Sequence, residues 1–163
     1  MDESNYAVYK SPIGNIMLTE KDGKLSGLEF MSDALNVIEV ENFNNAKISE
    51  FLKNCIFQLN EYFERKRNNF DITLYIEGTE FQKNVWNELA NIPYANTSSY
   101  KDIAIAVGNH KAVRAVGGAN NKNKIAIIIP CHRVIGASGK MVGYAGGIWR
   151  KEWLLEHEKA YAK

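Results

Sequence analysis

The chain of 163 residues has two cysteines, three prolines and three histidines, and each scarcity narrows what the protein can be. Cys55 and Cys131 are too few and too far apart for a disulfide framework. With three histidines they offer no recurring ligand spacing, so no metal site is expected. No apolar run approaches the roughly 20 residues needed to span a bilayer. The opening MDESNYAVYK lacks the basic and apolar parts of a secretion signal. The expected setting is therefore cytoplasmic, where Cys131 would remain a free thiol. No internal repeat and no low-complexity tract is present.

A net charge of +1 hides an uneven distribution. Residues 1–78 hold 8 Lys+Arg and 13 Asp+Glu, a net of −5, whereas residues 79–163 hold 12 and 6, a net of +6. The basic half suits a polyanion, although charge alone names none.

The N-terminal third reads as a small sheet. YAVYKS, GNIMLTE and KLSGLEF are β-rich and separated by turns at Pro12-Ile13-Gly14 and Lys21-Asp22-Gly23. From Ala46 to about Arg65 the apolar residues recur at helical spacing, with Cys55 inside the stripe as a packed core thiol. DITLYIEG is expected to add another strand, and a domain boundary falls near Gly78, giving domains 1–77 and 78–163. The second half reads as mostly helical, and Phe81, Val85, Trp86 and Leu89 form one face that stops before Pro93. SSYKDIAIAVGNHKAVRAVGG gives two short helices around Gly108-Asn109. Ser99 and Asn109 are the expected caps, and Gly117-Gly118 the expected end. Val113 and Val116 would face the core. IAIII is expected as a short buried strand, and a last helix from about Trp149 to Ala160 would bury Trp153 and Leu154.

Two short helices about a tight turn fit a helix-turn-helix. Lys111 and Arg114 lie three apart, and the small Ala112 and Ala115 would permit close approach to a groove. Few side chains there can read base edges, so the pair should grip the phosphate backbone rather than a sequence. An ordinary helical hairpin with solvated basic residues has the same pattern.

The chemistry concentrates in NKIAIIIPCHRVIG. Pro130 fixes the backbone before Cys131, and His132, Arg133 and exposed N–H groups are expected to favour thiolate over thiol. Neighbours on an extended chain point apart, so contact between Cys131 and His132 needs a turn or a bridging water. Glu158 is a candidate acceptor for the far ring nitrogen, with His157 and Glu156 as alternatives.

Taken whole, IPCHRV resembles the active-site signature of the methylated-DNA–protein-cysteine methyltransferases, the O6-alkylguanine-DNA alkyltransferases. GTEFQKNVW, IPYANTSSYKDIA, RAVGGAN, VGYAGG and KEWLLEHE resemble the other blocks of that family in the same order, from Gly78 to Glu158. The resemblance implies an α+β chain with a small N-terminal ribonuclease-H-like α/β domain. Its second domain would be mostly helical, with a winged-helix-like helix-turn-helix. It implies single-turnover repair of double-stranded DNA, with the O6-alkyl group of guanine, and in some settings the O4-alkyl group of thymine, passing irreversibly to Cys131. No cofactor and no membrane partner is implied, and the protein would act as a monomer.

Carried over by residue, Cys131 would be the alkyl acceptor, His132 the water-mediated base and Glu158 its orienting partner. Asn123 would hold the active-site turn. Tyr100 would crowd the target phosphate and hydrogen-bond the base, and Arg114 would fill the gap left by the extruded nucleotide. Lys111, Ala112 and Ala115 would lie against the DNA. Tyr144 would cover the base, and the carbonyls of Cys131 and Val134 would accept its exocyclic amine. Four positions depart from the family pattern: Glu80, Ala95, Asn96 and Ala145. Ala145 replaces a serine, Glu80 a proline, and IPYANT the glycine-containing IPYGET. Competing readings are a helix-turn-helix binder with an idle thiol, a Cys-His hydrolase and a redox protein. The first leaves its thiol unchanged, the second lacks an obvious oxyanion hole, and the third lacks a resolving cysteine.

Overall fold

The computed structural model describes residues 5–32 and 47–161, and the chain divides into two compact units, Met1–Tyr75 and Ile76–Lys163. In the first, β1 (Asn5–Ser11), β2 (Gly14–Lys21) and β3 (Lys24–Phe30) form an antiparallel meander. Asp22 and Gly23 both have positive φ, 53° and 75°. That is the primed turn whose twist matches paired strands, and it follows from the Asp-Gly dipeptide. At the other hairpin, Ser11 Oγ donates to Gly14 O and accepts from Ile13 N.

Helix α1 (Glu50–Phe63) packs Leu52, Cys55, Leu59 and Tyr62 with Ile16, Leu18, Leu25 and Leu28 in the core of this unit. Ser49 caps it, accepting from Leu52 N at 3.1 Å while donating to the buried Glu20. The helix begins after the expected Ala46, which lies outside the described residues. Cys55 is buried and its thiol is pushed up to about 12 by burial, which suits an inert core residue. DITLYIEG is not a strand. It makes one parallel bridge, Leu74 to Leu25, because the Gln58 amide takes the backbone groups of Asp71 that a ladder would otherwise pair.

The second unit begins with α2 (Glu80–Ala90), capped reciprocally by Thr79 and Gln82. Trp86 lies over Gly78, where a Cβ would stand 2.7 Å from the ring, and its Nε1 donates to Ala119 O. A two-residue strand β4 (Ser98–Ser99) leads directly into α3 (Tyr100–Ala106), capped by Ser99 and Asp102. Next come α4 (Val113–Asn121), a 3₁₀ turn at Cys131–Arg133, and β5 (Val134–Ile135). A glycine-rich loop then leads to α5 (Ile148–Tyr161). Strands β4 and β5 pair in parallel, Ser98 with Val134 and Ser99 with Ile135. This pairing sets the start of α3 beside the exit of the Cys131 turn.

Several local expectations are corrected. Asn109 does not cap α4; its side chain accepts from Lys111 N in the preceding turn, and Ala112 occupies the cap position. Gly117-Gly118 do not end that helix, which runs on to Asn121 because Val116, Ala119 and Asn120 are buried. Val113 is exposed rather than core. IAIII is a buried turn, with Ile127 at φ 70° and Ile129 N donating back to Ile125 O. In α5 Leu154 is buried but Trp153 only half-buried, because the helix turns a charged face inward instead.

Candidate active site

Cys131 sits at the start of the 3₁₀ turn that an adjacent Cys-His contact would need. The turn is prepared by Asn123, whose Oδ1 accepts from Ile125 N at 3.0 Å and whose Nδ2 donates to Ile129 O at 2.8 Å. That clip closes the IAIII segment and presents the cysteine. Cys131 is buried, and burial pushes its thiol up to about 11. The Asn123 side chain, Lys151 and the N–H groups of Cys131 and His132 pull the other way but do not prevail. The resting group is therefore a thiol, contrary to the expected thiolate preference, and Arg133 is committed elsewhere.

His132 and Glu158 are completely buried, with Nε2 and Oε2 2.7 Å apart. Burial lowers the His132 pKa, against the pull of Glu158, so the ring is neutral at rest. Glu158 is held well below the usual carboxylate range by His132 and Arg133, although burial alone would raise it. Arg133 grips it with both Nε at 2.9 Å and Nη2 at 3.1 Å, and donates from Nη1 to Ile92 O. Ala95 N adds a fourth donor at 3.3 Å. An ionised Glu158 can only accept, so it takes the Nε2 proton of His132 and leaves Nδ1 as the basic atom. Nδ1 has no hydrogen-bond partner among the described residues. Of the alternatives, Glu156 is exposed and His157 stacks on Trp153 at 4.8 Å.

The other anticipated residues divide into two groups. Tyr100 donates from its hydroxyl to Val142 O at 3.1 Å, and its pKa is raised by burial and then by Cys131. The half-buried Tyr144 is raised well above the ordinary range, again by burial and then Cys131. Val134 is buried, and its N–H donates to Cys131 O, which also accepts from Asn120 Nδ2 at 3.5 Å. These residues gather about the thiol. Lys111, Arg114 and Ala115 are exposed, Ala112 is half-buried, and Ala145 is exposed in the glycine-rich loop. Gly143 of that loop approaches both Asn121 and the Tyr100 hydroxyl. No cluster of three or more His, Cys, Asp or Glu suited to a metal occurs among the described residues.

Three features went unread in the sequence: the Arg133 clamp on Glu158, the support of Cys131 O by Asn120, and Lys151. The signal for Lys151 was present. Lys151, Leu154 and Glu158 lie at helical spacing on one face, so a charged residue occupies a core position.

Residues 80–160 match the model of the 6-O-methylguanine DNA methyltransferase DNA binding domain, and residues 5–76 that of the family's ribonuclease-like domain. A methylated-DNA–protein-cysteine methyltransferase of Methanosarcina acetivorans is 48% identical, over 94% of this chain and 97% of its own. The crystal structure of Mycobacterium tuberculosis O6-methylguanine methyltransferase superposes with a TM-score of 0.86 at 42% identity, covering 99% of this chain and 96% of that one. A crystal structure of the Mycobacterium tuberculosis protein in complex with DNA gives a TM-score of 0.84 at 43% identity, covering 96% and 94%. With its two units, its buried Cys-His-Glu arrangement and these matches along nearly its whole length, the chain belongs to the 6-O-methylguanine DNA methyltransferase family.

Proposed function

We propose that this protein repairs DNA by direct reversal, transferring the O6-alkyl group of guanine to Cys131. The observation that carries this reading is the buried turn at Cys131, whose neighbour His132 is neutral and oriented by an ionised Glu158. Such an arrangement can remove a thiol proton on demand.

The target carbon is hidden in the base stack, so the nucleotide is first extruded, at a cost of roughly a few kcal/mol that is smaller for a poorly paired lesion. Arg114 and Lys111, exposed at α4, engage the duplex, Arg114 filling the gap, with Ala112 and Ala115 permitting close approach. Tyr100 presses on the phosphate. Its hydroxyl exchanges Val142 O for the base and donates as charge builds there. Tyr144 covers the guanine, and the carbonyls of Cys131 and Val134 accept its amine. Ala145 contributes its backbone N–H where a serine would add a hydroxyl.

His132 Nδ1 then takes the Cys131 proton through a bridging water. The sulfur attacks the alkyl carbon, the carbon–O6 bond breaks, and the electron pair leaves on guanine, which is then protonated. A thioether remains. Unlike a thioester it has no carbonyl for water to attack, so each molecule acts once. Alkylated O4 of thymine presents the same kind of carbon and is a second substrate. The protein works in the cytoplasm as a monomer, with residues 1–77 as its ribonuclease-H-like domain and residues 78–163 as the DNA-binding and alkyl-acceptor domain.

The test is stoichiometric. Duplex DNA carrying one radiolabelled O6-methylguanine, mixed with increasing protein, should lose label to protein in a burst that plateaus at one methyl per molecule. Continued turnover, or release of label to solvent, would contradict the mechanism.

A further inference from the structure

Lys151 is completely buried, which lysine almost never is without a partner. Its Nζ donates to Val142 O at 2.8 Å, the same carbonyl that accepts from the Tyr100 hydroxyl at 3.1 Å. It also lies 5.8 Å from the centre of the Tyr100 ring. No carboxylate among the described residues lies within ion-pairing distance of it, because Glu158 is occupied by His132 and Arg133. In charge terms Arg133 and Glu158 cancel, and His132 is neutral. Lys151 is left as a buried cation beside a buried thiol, held against the loop of residues 136–147.

Resting on the alkyl-acceptor reading, we propose that Lys151 is a positioning residue that supplies the counter-charge for the Cys131 thiolate and ties that charge, through Val142, to the substrate loop. Ionising Cys131 while His132 takes its proton separates charge in a buried site, and an ammonium already fixed there offsets the cost without reorganisation. The titratable groups about it are Cys131 and His132 on the 3₁₀ turn, Arg133 beside them, Tyr100 on α3, Tyr144 on the loop and Glu158 on α5. Of these, Cys131 is the one that raises the Lys151 pKa, while burial lowers it to about 8. The coupling is reciprocal, since Lys151 lowers Cys131. Once Cys131 becomes a thioether no thiolate can form there, and the counter-charge has no further use in the reaction.

The test compares Lys151→Met, which keeps length without charge, with Lys151→Arg, which keeps charge. The pH dependence of Cys131 alkylation by iodoacetamide is read by peptide mapping, which separates it from Cys55 and needs no DNA. The methionine variant should lower the small thiolate population that forms while Lys151 is charged and so slow alkylation near neutral pH about tenfold, and arginine should restore most of the loss. Superimposable profiles in folded variants would overturn the proposal. Should the methionine variant not fold, the alkylation profile of the unaltered protein decides, with the Lys151 titration near pH 8 followed by NMR. The rise of the alkylation rate with pH should flatten as Lys151 loses its charge, and an unbroken rise of about tenfold per pH unit through that midpoint would overturn the proposal. Failure of methyl transfer by the unaltered protein would contradict the repair reading instead, leaving these thiol measurements to stand separately.

Discussion

Glu158 lies 2.7 Å from His132, and both side chains are sealed from solvent. A carboxylate there must be matched by donors, and Arg133 and the Ala95 N–H complete the set. Glu158→Gln keeps the shape but leaves Arg133 buried without its anion and His132 free to adopt the other tautomer. Stability should fall by about 3 kcal/mol or more, and the transfer rate roughly 100-fold. Denaturant melts and single-turnover transfer check the two effects separately.

The same pair sets the acid response. Glu158 has a folded pKa well below its ordinary 4.5, so its contribution is present above that value and is lost as pH falls below it. His132 has a folded pKa below its ordinary 6.5, so the unfolded chain binds its proton first and stability also declines below about that pH. Thermal melts should therefore show stability declining from about pH 6.5 downward, and more steeply below about 4.5. Glu158→Gln should remove the lower step.

Ala95 occupies the left-handed region, φ 66°, where the family pattern carries glycine. Such a conformation costs a residue with a Cβ roughly 1–2 kcal/mol, part of which is offset by the lower entropy of the unfolded chain. Ala95→Gly should therefore stabilise the protein by about 1 kcal/mol, raising Tm by roughly 2–4 °C for a chain of this length. Calorimetry of the two proteins measures it, and an unchanged or lower Tm would contradict the strain.

Asn123 closes the turn that holds Ile127 at φ 70°, a conformation costly for a β-branched side chain. Asn123→Ala leaves buried backbone groups unpaired. It should cost about 2 kcal/mol and slow transfer by displacing the thiol. A transfer rate equal to that of the unaltered protein would show that the turn holds without its clip.

Arg114 is exposed on α4 and far less buried than any residue around the thiol. If it fills the gap left by an extruded base, Arg114→Ala should slow repair of a lesion in duplex DNA at least about tenfold. It should leave the reaction with a free O6-alkylguanine base nearly unchanged, since no stack must be opened. Equal losses on both substrates would place the residue in the chemistry instead.

Much of this was legible in the chain because local chemistry dictated it. Asp22-Gly23 demanded a primed turn, Ser99 and Asp102 a capped helix, and the IPCHRV block marked the reactive turn. The misreadings arose where tertiary packing overrode local preference. Five β-branched or small residues at IAIII suit a strand, but Asn123 and the burial of Ile125, Ile127 and Ile129 fold them into a turn. Gly117-Gly118 read as a helix end, yet the packing of Val116, Ala119 and Asn120 carries α4 through them. The thiolate expectation failed because sequence shows neighbours but not burial. Lys151 was missed because a lysine on a helix ordinarily faces water.

The most direct test of the account is the intact mass of the protein after reaction with duplex DNA carrying one O6-methylguanine, followed by peptide mapping. The account predicts the addition of a single methyl, confined to the peptide containing Cys131, with guanine restored in the DNA and no reaction in Cys131→Ser. An unchanged mass despite lesion-dependent binding, or a methyl on any other residue, would contradict it.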